Sequence, residues 1–120
     1  MDALTWKAEL IDEVRTLSNL KELETLWLGK DPHRISSFTE EVAHVFADLD
    51  IDSFLALDPT VVGLSEIQRQ SLIQFRDALS DYVDATKHVH RDDKAILEDP
   101  SFRRITGLAD LFIQQLEIGS

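Results

Sequence analysis

The chain has 120 residues, 43% of them apolar and 29% charged, enough for one domain, residues 1–120, with its own core. It has no cysteine, which excludes disulfides, thiolate metal sites and cysteine nucleophiles. Twenty-three acidic residues against twelve basic ones set a formal net charge of -11; such a field disfavours nucleic acid and anionic membranes as partners and favours a basic protein.

The opening stretch MDALTWKAELIDEV carries four carboxylates and no apolar signal core, and no run approaches the roughly 20 apolar residues of a membrane span. A cytoplasmic location is the expectation. Ala3, Trp6, Leu10, Val14 and Leu17 recur at three- and four-residue steps and predict a first helix over residues 2–17. Ser18 or Asn19 can cap a second helix through Leu20, Leu23, Leu26 and Trp27, stopped by Gly29. Residues 30–34, with Pro32, read as a loop.

Ser37 and Glu40 have capping-box spacing and open a third helix with Phe38, Val42, Val45 and Phe46 inward, fading over residues 48–52. Asp52 is placed to cap a short turn through Phe54, Leu55 and Leu57, ended by Asp58-Pro59. Ser65 and Gln68 repeat the capping spacing and start the longest helix, about residues 66–87, with the stripe Ile67, Leu72, Phe75, Leu79, Tyr82 and Val83. A polar break over residues 88–91 precedes a short helix capped by Asp92, with Ile96 and Leu97 inward. Asp99-Pro100 starts the last helix, which carries Phe102, Ile105, Leu108, Phe112, Ile113 and Leu116 and ends at Gly119. No stretch alternates as a strand would, so the expected architecture is all-α, a compact bundle of about five main helices plus short helical turns.

Several patterns invite chemistry. DLDID, residues 48–52, begins like a calcium loop, but the positions of the required glycine and glutamate hold Ser53 and Pro59. Glu41-Val-Ala-His44 has the Glu-x-x-His spacing of di-iron bundles without a second copy, and a partly exposed structural His44 is the plainer reading. Asp84, His88 and Asp92 fall at four-residue steps with His90 and Asp93 nearby, yet KHVHRDD reads as a helix end, where the dipole favours cations. No nucleophile elbow or phosphate loop is present. No catalytic residue, metal or cofactor is therefore expected.

Charge distribution is the unusual feature. No Lys or Arg lies between Arg34 and Arg69, whereas Glu40, Glu41, Asp48, Asp50, Asp52, Asp58 and Glu66 all do. The first sixty residues hold thirteen acids and five bases, the second sixty ten and seven. Carboxylates at a helix C-terminus, as Asp48 and Asp50 are read here, oppose the macrodipole by a few tenths of a kcal/mol each, a cost that a docking role can justify. The candidate partner-binding residues are Asp48, Asp50, Asp52 and Asp58, with Glu40 and Glu41 behind them; Phe54 or Tyr82 is a candidate aromatic anchor.

ISSFTEEVAHVFADLDIDSFL, residues 35–55, and ILEDPSFRRI, residues 96–105, resemble bacterial immunity proteins of contact-dependent growth inhibition systems. The resemblance is one of character (size, acidity, helices, no cysteine) and implies a non-enzymatic cytoplasmic protein that binds a cognate toxin, a nuclease with a basic cleft, and blocks it. Two other classes fit the same residues. One is a helical adaptor with an apolar peptide groove, and the other is a metal-dependent helical enzyme built on Glu41, His44, Asp84 and His88.

Overall fold

The computed structural model describes residues 2–89 and 91–119. Asp2 accepts the Thr5 amide at 2.8 Å and so starts α1 (Ala3–Leu17) by satisfying an otherwise orphaned N–H. Asn19, one of the two predicted caps, does the same for α2 (Leu20–Trp27) through the Glu22 amide at 3.1 Å. Beyond α2 the chain turns at Gly29, whose φ of 68° suits a residue without a Cβ.

Ser37 accepts the Glu40 amide at 3.1 Å and opens α3 (Phe38–Ala43), so half of the predicted box forms. The helix does not fade there. It widens into a π-helical turn over His44–Asp48, closed by the Leu49 amide donating to the His44 carbonyl at 2.8 Å. The next cap is Asp50, not the predicted Asp52. Asp50 adopts a left-handed conformation, φ 46° and ψ 64°, tolerated best by Gly, Asn and Asp, and starts α4 (Ile51–Leu55). The helix already begins at Ile51, so Asp52 lies within its first turn and Asp50 is the flanking residue whose carboxylate reaches the Ser53 amide.

Asp58-Pro59 was expected only to end the preceding turn. It begins a further helix, α5 (Pro59–Val62), through the chemistry that Asp99-Pro100 uses later, a cap followed by proline at the first helical position. Both halves of the Ser65–Gln68 capping box form at α6 (Glu66–Thr86). Asp92 caps α7 (Asp93–Glu98), and Asp99 caps α8 (Pro100–Ile118), which Gly119 ends at φ 78°. The described residues thus form eight α-helices and no strand, an all-α fold.

α6 and α8 make the most extensive helix pair, with α1 laid against α8, α2 against α7, α5 against α1, and α4 against α6. Leu72, Phe75 and Leu79 of α6 and Phe102, Ile105, Ala109 and Phe112 of α8 are buried between them. Ile67 departs from the predicted stripe and is 57% exposed. The inward row runs through Gln68, Leu72, Phe75, Leu79 and Tyr82, and at about 100° per residue Ile67 lies off that row. Trp27, Phe38, Tyr82 and Phe102 pack as one aromatic cluster with neighbouring ring centroids 5.5–6.0 Å apart. The polar break after α6 has a structural use as well. Arg91 donates to Asp99 Oδ2 at 2.5 Å and to the Tyr82 hydroxyl at 3.0 Å, tying the end of α6 to the start of α8.

Candidate functional site

Each of the four candidate aspartates has a local partner. Asp48, at the end of the π turn, faces His44 with Nδ1 and Oδ2 3.1 Å apart. Asp50 accepts the Ser53 amide at 3.2 Å and the Ser53 hydroxyl at 2.7 Å. Asp52 takes two hydrogen bonds from Arg76 of α6, from Nε at 2.7 Å and Nη2 at 3.3 Å. Asp58 accepts the Thr60 amide at 2.9 Å and its hydroxyl at 2.8 Å, and these bonds hold its carboxyl below the usual range. Asp48, Asp52, Asp58 and Glu40 are exposed and Asp50 is half-buried. No hydrogen bond or ion pair among the described residues joins Glu40 to the aspartates.

This placement overturns the expected dipole cost. Asp50, Asp52 and Asp58 stand at the N-termini of α4 and α5, where a carboxylate is favoured. Only Asp48 remains at a C-terminal end, and His44 faces it. The segment is also anchored, since the Trp6 indole of α1 donates to the Leu49 carbonyl at 2.5 Å and packs edge-on against Phe54 at 5.5 Å.

Three candidates are corrected by burial. Phe54 is 2% exposed and Tyr82 7%, so neither ring is presented as an anchor; both belong to the core. The Tyr82 hydroxyl donates to Asp99 Oδ2 at 2.8 Å, and burial, then that bond, pushes its pKa up to about 12. Glu41 is 9% exposed and faces inward, which removes it from the surface set.

Glu41 instead belongs with a residue that the sequence reading passed over. Glu13 of α1 is 7% exposed, and its carboxyl lies against that of Glu41. Burial first, then the Glu41 charge and a hydrogen bond with it, push Glu13 up to about 9. Glu41 Oε1 accepts the Ser36 hydroxyl at 2.9 Å, while one buried oxygen of each glutamate, Oε2, has no partner among the described protein groups. A sequence signal for the pair exists. Glu13 stands three residues after Leu10 and four before Leu17, and Glu41 holds the same place between Phe38 and Val45. Each is a carboxylate written into the inward row of its helix. Beside Glu13 opens a depression of about 390 Å³ bounded by Glu9, Asp12, Glu13, Thr16 and His44.

The other candidates are not gathered. Among the described residues no three His, Asp or Glu side chains are placed to hold a metal ion, so Glu41, His44, Asp84 and His88 do not converge. His90 lies outside the described residues. A groove of about 340 Å³ between α3, the end of α6 and α7, floored by Phe38, Val42, Val83 and Ile96, is at the small end for a ligand pocket. Among the described residues no helix is long and apolar enough to cross a membrane. Comparisons with protein-family models, curated proteins and solved structures find no match.

Proposed function

We propose that this chain is an inhibitor of the immunity type, which binds a basic toxin domain and occludes its active-site cleft with an acidic surface. One observation carries the reading. From residue 35 to residue 68 there is no Lys or Arg, and Glu40, Asp48, Asp52 and Asp58 of that stretch are exposed. Lys7 and Arg69 reach into it only at backbone carbonyls, those of Gly63 and Leu55, and Arg76 offsets one of its carboxylates, Asp52. Caps and ion pairs hold the carboxylates in defined positions, so a partner meets a preorganised charge pattern rather than mobile side chains. A nuclease cleft built to hold phosphate is the complementary surface, and opposite charge speeds encounter.

The test begins with capture of a basic partner at equal stoichiometry from source-cell lysate, at low and moderate salt. Association is then compared for the wild type and the triple variant Asp48→Asn, Asp50→Asn and Asp52→Asn. Asparagine keeps the capping bond at Asp50, so the variant changes charge and leaves the fold. At low salt the association rate should fall on the order of tenfold and lose much of its salt dependence, with helical content unchanged. An unchanged rate in the triple variant removes this segment from the interface.

A further inference from the structure

The Glu13–Glu41 pair buries two carboxyls side by side. Both side chains are more than nine-tenths buried, and each leaves an oxygen without a partner among the described protein groups. Two carboxyls taken out of water beside each other are unfavourable unless a cation or a proton stands between them. The basic residues of α1 are turned elsewhere. Lys7 donates to the Gly63 carbonyl at 3.2 Å, and Arg15 pairs with Glu117 at 3.6 Å. Among the described residues no basic side chain forms an ion pair with either glutamate.

The depression beside Glu13 is shallow and open to solvent, and Glu41 is not among the residues that line it. Glu9 and Asp12 stand on its rim, one helical turn and one residue before Glu13, and His44 of the π turn lies opposite. His44, which lines the depression, also faces Asp48 of the acidic stretch described above. Its lining thus includes the buried Glu13, one of whose oxygens has no partner among the described protein groups, together with the carboxylates of Glu9 and Asp12, and its volume of about 390 Å³ has room for one long side chain.

We propose that this depression receives a single cationic side chain, arginine or lysine, from a basic protein partner, with Glu13 as its buried counter-ion and Glu9 and Asp12 as its rim. The proposal rests on the inhibitor reading for the source of the cation, and it adds α1 to an interface otherwise confined to residues 40–58. In the free protein Glu13 holds a proton against Glu41; when the cation enters, that proton leaves to solvent and the carboxylate pairs with the incoming charge. Burial, which penalises an isolated carboxylate, then strengthens the new pair.

The full chain is titrated with N-acetylargininamide and followed by amide NMR. Saturable shifts confined to residues 9–16 and 41–48 are expected in the wild type. Glu13→Gln, close in shape to the protonated acid, should weaken the probe at least tenfold. Absence of saturable shifts, or equal binding by wild type and Glu13→Gln, overturns the assignment. Should Glu13→Gln fail to fold, Glu41→Gln is the second arm, and unchanged affinity there overturns it equally. The two readings fail separately. A dead probe alongside a triple-asparagine variant that still weakens partner association leaves the inhibitor and removes this site. Probe binding alongside an unaffected partner rate keeps the site and removes the aspartate segment.

Discussion

The carboxylates of residues 48–58 and the pair Glu13–Glu41 are the same chemical group in opposite circumstances. The aspartates are closely spaced in sequence, yet each has a partner: Asp50 and Asp58 cap helix starts, Asp52 pairs with Arg76 and Asp48 faces the His44 ring. The two glutamates each follow another acid in sequence, Asp12 and Glu40, but stand on the inward rows of their helices and come together only in the fold, where both are buried and each has an oxygen with no partner among the described protein groups. A run of acids that catches the eye can therefore be inexpensive, while a lone acid inside an apolar stripe carries the tension. Destabilising placements of this kind are where function is often kept.

The comparison can be broken most decisively at Glu13. Its carboxyl is raised from 4.5 to about 9, so the folded state holds the proton more tightly than the unfolded one. The favourable contribution is then complete below about pH 4.5 and is lost progressively as pH rises through about 9. Around it stand Glu9 and Asp12 on the same helix and Glu41 and His44 on the facing one. Thermal melts at pH 5, 7 and 9 should show a falling Tm for the wild type and a much flatter line for Glu13→Gln. At pH 7 the variant should also be more stable by about 1–2 kcal/mol, roughly 4 °C per kcal/mol for a domain this size. A destabilised Glu13→Gln with an unchanged pH slope would equate this pair with the aspartates.

The next effect is at Asp50. Asp50→Ala loses the cap and puts a Cβ-bearing residue without a capping side chain at φ 46°, a combined cost of about 1–2 kcal/mol. Asp50→Asn keeps both the cap and the tolerance for that conformation and should change stability by under about 0.5 kcal/mol. Chemical denaturation of the two variants separates the capping role of the side chain from its charge. If both lose stability equally, the charge and not the cap holds α4.

The smallest effect belongs to Asp52. Its pair with Arg76 is well aligned, but the two side chains are 57% and 30% exposed, so solvent and salt screen it. Asp52→Asn should cost less than about 0.5 kcal/mol in low salt and nothing measurable at high salt. A larger loss would mean that the acidic segment, too, contains a carboxylate on which the fold depends.

How much could be read without coordinates differs between these regions. Asp92, Asp99-Pro100, Ser65 with Gln68, and Gly119 act at the helix ends where their residue types placed them, because a cap involves groups within a few positions of one another. Asp50 caps α4 in place of the expected Asp52, and Asp58-Pro59 starts α5 as well as ending the turn before it; both caps are local, with the Ser53 and Thr60 amides as donors. The Glu13 signal was present but needed the inward row of α1 to be read residue by residue.

By itself the sequence determined the all-α class, the ends of most helices and the apolar rows that bury them, since each depends on chemistry repeated over three or four residues. The tertiary structure alone decided which carboxylates meet a partner far away in sequence. Glu13 and Glu41 lie 28 positions apart, Asp52 and Arg76 lie 24 apart, and Tyr82, Arg91 and Asp99 span 17. Each grouping exists because two helices pack in one register. That register follows from the shape of the whole core, to which no short stretch of chain has access.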